Sequence, residues 1–269
     1  MFWRMIVFFI SITSTSYGLL LETMIDLGEL DETLKGKKLG YYTGSFDPIH
    51  IGHQNFCEGV IKAGLCDYVI IVPAWGKDPY KKRADLAIRL EMLESLFSLH
   101  PNIIVTHLSP KKVQEALTKI HLEKSIRGYP SVRMKDETIE VIALIGSDTA
   151  LSLGLPSNDN EEEINRKKRM EIFMQGVAIP EKYAESTIGA IMLLPSSHFI
   201  VNLREGDDLS LLNGQVGEKL ISTVYETSQT AHASSTLVKK LLKNGDSVSD
   251  LIDPKVFAII QKHGLYQKN

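Results

Sequence analysis

Leu39-Gly-Tyr-Tyr-Thr-Gly-Ser-Phe-Asp-Pro-Ile-His-Ile-Gly-His53 is the stretch from which the fold can be read. Leu39 to Thr43 reads as a strand. Gly44 can take a tight turn without a Cβ clash, and a helix is expected from about Ile51 to Ala63, with Gly64 as its stop. The first N–H groups of a helix have no partner within it, and in open parallel sheets ligands bind at this strand-to-helix edge. The N–H groups around Gly44, Ser45 and Phe46 are therefore offered to phosphate oxygens. Pro48 stiffens the turn. His50 and His53 are three residues apart, so both rings fall on one side of the first helical turn, with Gly52 between them leaving room for a nucleotide. A lone histidine near a helix start is most simply a cap or a surface residue. A pair flanking a glycine at such a junction points to a triphosphate cradle with two imidazoles aimed at it.

Outward from this stretch the pattern alternates. Asp67 to Pro73 is a continuous apolar run, as expected of a parallel strand covered on both faces. Arg83 to Leu99 repeats Leu86, Leu90, Leu93 and Phe97 at helical spacing. Asn102 to Thr106 reads as a strand, Lys111 to Leu122 as a helix, and Ile139 to Gly146 as another strand. The order β-α-β-α-β-α-β predicts an α/β fold, a doubly wound parallel sheet with helices on both faces. Beyond it, Asn158 to Arg169 is a charge run that reads as a solvated loop leading into a surface helix. Val177 to Ile179 and Ala190 to Leu194 are strand candidates. Ser234 to Lys243 and Pro254 to His263 read as helices, the first ended by Asn244-Gly245. No repeat, low-complexity tract or linker divides the chain.

Composition narrows the class. With 269 residues and 43% apolar content the chain can build one large core, and its net charge of −3 carries no broad basic footprint for nucleic acid. The two cysteines, Cys57 and Cys66, cannot form a four-thiolate zinc site and read as buried thiols of a reducing compartment. Residues 1–23 have the layout of a secretory leader: Arg4, an apolar stretch from Met5 to Ile12, and small residues near Gly18. That stretch is too short for a stable membrane span. Export, cleavage of the leader and a true start at Met24 all stay open, and the triphosphate chemistry suggested by the histidine pair favours the cytoplasm. Residues 24–38 read as a polar lead-in, and 39–266 as the folded domain.

Thr43-Gly-Ser-Phe-Asp-Pro-Ile-His-Ile-Gly-His53 closely resembles the signature of the nucleotidylyltransferase superfamily with the His-x-Gly-His motif. Asp78-Pro-Tyr-Lys-Lys82, Ile145-Gly-Ser-Asp148 and Ser234-Ser-Thr-Leu-Val-Lys-Lys240 narrow the likeness to nicotinamide/nicotinate mononucleotide adenylyltransferases, as does the ending through His263-Gly-Leu-Tyr266. Two departures stand out. The arginine of the phosphate motif is Lys239, which keeps the charge without the bidentate fork. The ring-stacking aromatics of that family are missing from the expected places, and outside the leader the only tryptophan is Trp75.

The resemblance implies a Rossmann-like fold and in-line attack of an acceptor phosphate on the α-phosphorus of ATP. It implies His50 and His53 as catalytic residues, and Gly44, Ser45 and Phe46 along the nucleotide. Gly146 and Asp148 would hold adenosine, Ser235, Thr236 and Lys239 the β- and γ-phosphates, and Tyr80 and Lys82 the acceptor mononucleotide. Mg²⁺ would travel with ATP. The expected partners are ATP and a small phosphorylated acceptor, and a homo-oligomer stays open. Asp148, Ser234 and Ser235 also suit helix N-caps. Three alternatives are weighed. One is another acceptor, as in pantetheine-phosphate adenylyltransferases or cytidylyltransferases. A class I aminoacyl-tRNA synthetase also uses such a histidine pair, but the short chain and the lack of a Lys-Met-Ser-Lys-Ser loop oppose it. The third is a non-catalytic nucleotide-binding, exported protein. No Walker A, Gly-x-Gly-x-x-Gly, Gly-x-Ser-x-Gly or His-Glu-x-x-His pattern is present.

Overall fold

A computed structural model describes residues 34, 36–75, 83–117, 139–154, 198–203, 207–208, 215–216, 219–226, 230 and 232–267. The strands are β1 (Lys38–Gly44), β2 (Tyr68–Pro73), β3 (Ile103–Val105), β4 (Glu140–Gly146), β5 (His198–Leu203), β6 (Gln215–Val216) and β7 (Lys219–Glu226). They form one sheet in the order β3-β2-β1-β4-β5-β7-β6. All neighbours are parallel except the short β6, which runs antiparallel to β7.

Alternation along the strands sorts the core onto two faces. On one face, Tyr42, Val69, Ile71 and Leu144 pack with α1 (Ile51–Lys62) and α2 (Leu86–Phe97). Among the described residues, α4 (Ser235–Asn244) and α5 (Pro254–Lys262) join the same cluster through Val238, Val256, Ile259 and Ile260. On the other face, Tyr41, Ile70, Val72, Ala143 and Ile145 meet Val113 and Leu117 of a helical stretch over 110–117, and Ala150 of α3 (Ser147–Gly154). From β1 the chain steps to β2 and β3 with its helices on the first face. It then crosses on the second face to place β4 on the other side of β1. Strand order thus reverses between β1 and β4, the switch point at whose carboxyl edge open α/β sheets bind ligands.

The expected doubly wound sheet is the observed one. The first helix runs Ile51–Lys62, with Ala63 as its cap and Gly64 following at φ 68°. The second starts at Leu86, because 83–85 is not helical, and ends at Phe97. The helix expected over 111–122 is seen over 110–117, and its remainder lies outside the described residues. So do the leader, the strand candidates at 177–179 and 190–194, the 158–169 charge run, and the segment 76–82. The sequence reading did not anticipate β5, β6 or β7. Cys57 and Cys66 are buried free thiols, as expected, and burial pushes Cys66 up to about 12.

Ser234 caps α4: its side-chain oxygen accepts from the Leu237 amide at 3.1 Å, and Gly245, left-handed at φ 82°, closes the other end. We expect Ser234→Ala to cost about 1 kcal/mol, lowering the melting temperature by roughly 2–4 °C in a chain of this size. Ser234→Asn should restore it. Thermal unfolding followed by circular dichroism checks both.

Candidate active site

The loop between β1 and α1 is held from every side. Gly44 lies at the end of β1 beside Pro73, and its carbonyl accepts from the Ala74 amide at 2.9 Å. The residue in the left-handed region is Phe46, at φ 47°, rather than Gly44. What Gly44 supplies is space, because a Cβ there would stand 3.0 Å from the Phe46 ring. That ring is 1% exposed and packs edge-on against Tyr42 and His53. Phe46 can therefore meet a nucleotide only through its backbone.

His50 and His53 cap α1 reciprocally. His50 Nδ1 accepts from the Gly52 amide at 3.1 Å, and His53 Nδ1 accepts from the His50 amide at 3.3 Å. Each ring thus uses Nδ1 as an acceptor, which puts the proton of the neutral imidazole on Nε2. The rings stack, with centroids 3.7 Å apart and planes 36° apart. The capping reading and the shared-face reading are both met. The expectation that Gly52 leaves room for a nucleotide needs correcting: the His50 ring fills that space, and a Cβ at Gly52 would lie 3.0 Å from it.

Asp47 is 2% exposed and ties four parts of the chain together. Its Oδ1 accepts from the Ala84 amide at 3.0 Å and from the Tyr266 hydroxyl, while Oδ2 pairs with Lys239 Nζ. Beneath the loop, Arg89 of α2 donates to three carbonyls: Ser45 at 2.8 Å, Ala74 at 2.8 Å and Ala84 at 3.0 Å. Burial pulls its guanidinium below its usual pKa. Ser235 does not cap α4; its hydroxyl donates to the Pro48 carbonyl at 2.9 Å and fastens the start of α4 to the loop. Thr236 is exposed on the same first turn. The Ile51 amide donates to Leu251 O at 2.9 Å.

Across the switch point, Gly146 ends β4, and Asp148 is exposed in the first turn of α3, where a carboxylate suits the helix dipole. Ser147 is buried and its hydroxyl donates to Asp207. The loop therefore brings together Gly44, Ser45, Phe46, His50, His53, Ser235, Thr236 and Lys239, with Gly146 and Asp148 across the strand edge. Tyr80 and Lys82 lie outside the described residues, but both ends of their segment, Ala74 and Ala84, are anchored at this loop. Sequence reading quoted Asp47 and Tyr266 without a role and passed over Arg89. The signal for Arg89 was present, since it shares the helical face of Leu86 and Leu93.

A doubly wound sheet whose switch point carries two stacked histidines at a helix start, facing a second helix start, is the architecture of a nucleotidyltransferase. The chain belongs to the cytidylyltransferase-like family, whose model matches residues 41–241. Similar curated proteins include the "Probable nicotinate-nucleotide adenylyltransferase" of Clostridium tetani, 23% identical over 86% of this chain and 100% of its own length. The protein of the same name from Neisseria gonorrhoeae is 27% identical, again over 86% of this chain and all of its own. Among solved structures, Plasmodium falciparum nicotinic acid mononucleotide adenylyltransferase complexed with NaAD shares the fold. It matches with a TM-score of 0.54 and 16% identity, over 86% of this chain and 97% of that one. Among the described residues, no helix is long and apolar enough to cross a membrane, and no group of three or more His, Cys, Asp or Glu is placed to hold a metal ion.

Proposed function

We propose that this protein transfers AMP from ATP to nicotinate mononucleotide or its amide, releasing pyrophosphate and forming the dinucleotide. The observation that carries the reading is the His50–His53 pair stacked at the N-terminus of α1, at the reversal of strand order. Relatives named for the nicotinate nucleotide, similar over most of this chain, favour the acid over the amide.

The acceptor's phosphate oxygen attacks the α-phosphorus in line. The bond from that phosphorus to the bridging oxygen breaks, and pyrophosphate leaves with the electron pair. No protein nucleophile is needed, and an acceptor phosphate monoester is largely dianionic at neutral pH. Catalysis is then positioning and charge stabilisation. The Nε2 donors of His50 and His53 meet phosphate oxygens, His53 nearest the charge that develops at the α-phosphate. The backbone from Gly44 to Phe46 lines the nucleotide, and Gly146 and Asp148 hold adenosine. Ser235, Thr236 and Lys239 serve the β- and γ-phosphates from the start of α4. Tyr80 and Lys82 receive the acceptor. The donors around the phosphates are imidazoles, amides and an ammonium, and the nearby Asp47 carboxylate is already engaged. This donor set suits a Mg²⁺ held chiefly by ATP, which would supply neutralising charge for the leaving pyrophosphate.

The test is pyrophosphate release from Mg-ATP by protein lacking residues 1–23, with a panel of acceptors. Nicotinate or nicotinamide mononucleotide should support turnover. Turnover with phosphopantetheine alone would move the protein to another acceptor within the same chemistry. ATP binding with no turnover on any acceptor would leave a nucleotide-binding protein.

A further inference from the structure

Tyr266, three residues from the end of the chain, hydrogen-bonds a carboxylate in the nucleotide loop 219 positions away. Both ends of that bond lie at unusual backbone. Tyr266 has φ 60°, and Asp47 follows Phe46 at φ 47°. Non-glycine residues held in this region cost on the order of 1–3 kcal/mol and persist where the surroundings over-determine them. After α5 the chain turns through Gly264, also at φ 60°, and brings the phenol back under the loop. Burial first, and then the bond to Asp47, raise the pKa of Tyr266, so its hydroxyl remains a donor throughout the physiological range.

The division of labour on Asp47 is uneven. Two neutral donors, the Ala84 amide and the Tyr266 hydroxyl, share Oδ1, while a single cation, Lys239, sits on Oδ2. The carboxylate is 2% exposed, whereas the Lys239 side chain is 32% exposed. The ammonium also stands 5.1 Å from the centre of the Tyr266 ring, within reach of its π face. A buried carboxylate needs compensation, and losing a partner makes it hold those that remain more tightly. Lysine carries a compact charge on a flexible stem, and α4 puts it on the helix whose start also carries Ser235 and Thr236.

We propose that Tyr266 is a positioning residue of the nucleotide site: with the Ala84 amide it keeps Asp47 satisfied, so that Lys239 can leave Asp47 for the phosphates of ATP. This rests on the phosphate role given to Lys239 above and adds what sets its availability. Removing only the hydroxyl leaves Asp47 with one donor fewer, and Lys239 is then retained by the carboxylate. ATP must compete harder for the same cation. Once Lys239 is absent there is nothing to release, and the hydroxyl no longer matters to ATP.

The experiment is a double-mutant cycle on the full chain with Tyr266→Phe, Lys239→Met and the double variant. Titration calorimetry with Mg-ATP is run beside thermal melts. Tyr266→Phe keeps the ring and its packing, and should weaken ATP binding by about 5- to 20-fold. That fold-change corresponds to roughly 1–1.8 kcal/mol at 25 °C. Lys239→Met should weaken binding at least as much, and the double variant should bind like Lys239→Met alone. Two results would overturn the proposal: Tyr266→Phe within twofold of the parent, or losses that multiply in the double variant, which is the behaviour of a tail that only braces the fold. ATP binding is read without an acceptor. A failure of the nicotinate assignment therefore leaves this result standing, and the reverse also holds.

Discussion

His53→Ala is expected to lower turnover by about 10²–10³, some 3–4 kcal/mol, while ATP binding weakens far less. The α-phosphate gathers negative charge on its equatorial oxygens as the acceptor attacks, so a donor placed for that charge contributes more in the transition state than in the ground state. His53 is suited to the task because its Nδ1 is taken by the His50 amide, which directs the ring and leaves the proton on Nε2. The ring is further fixed by Phe46 at 5.2 Å and His50 at 3.7 Å between centroids. Alanine also removes the reciprocal cap, so some loss of stability must be separated from the loss of chemistry. His53→Gln does this, because glutamine at the third helical position can accept the same amide. Melting should recover in the glutamine variant while turnover stays low. If either folded variant keeps turnover within about tenfold of the parent, under ~1.4 kcal/mol, His53 is a cap and the nucleotide-binding reading gains.

How far the sequence could be read follows the range of the interactions involved. The first four strands and their helices announce themselves locally, through continuous apolar runs such as Val69 to Val72 and helical spacing such as Leu86, Leu90, Leu93. The histidine pair is legible for the same reason, since a three-residue spacing on one helical turn is enough to bring the rings together. The strand His198–Leu203 is not, because only Phe199, Ile200 and Val201 are continuously apolar between polar ends, and its pairing with β4 and β7 is what makes it a strand. The supports of the loop are hidden altogether. Asp47 acquires its role from Ala84, Lys239 and Tyr266, which are 37, 192 and 219 residues away. Lys239 illustrates the difference: its motif suggests phosphate, and only the fold reveals the carboxylate that competes for it.

Arg89→Met should destabilise the protein by on the order of 3–5 kcal/mol and weaken the anchoring of the segment proposed to receive the acceptor. Arg89 is 2% exposed and gives its three nitrogens to three carbonyls, those of Ser45, Ala74 and Ala84. Methionine keeps much of the apolar stem and removes every donor. A buried acceptor left without its partner costs about 1–3 kcal/mol, so three would cost about 3–9 kcal/mol, a range whose upper part lies well above the value expected here. Two effects reduce the sum. The parent already bears the cost of holding a cation out of water, which the variant does not, and water can reach part of the vacated space. A loss near 3 kcal/mol lowers melting by roughly 6–12 °C in a chain of this length. Arg89→Lys should fall between, because an ammonium is a point donor and cannot span three carbonyls held by a planar fork. Function separates this from a plain core defect. Ala74 and Ala84 bracket the segment carrying Tyr80 and Lys82, and Ser45 belongs to the loop between β1 and α1 proposed to line the nucleotide. Well below its melting temperature, the folded Met variant should therefore show a raised KM for the acceptor as well as for ATP. Urea unfolding gives the stability and steady-state kinetics at low temperature gives the rest. A change under ~1 kcal/mol, within the range of an ordinary substitution, would mean that the three carbonyls find other partners and that Arg89 does not hold the loop.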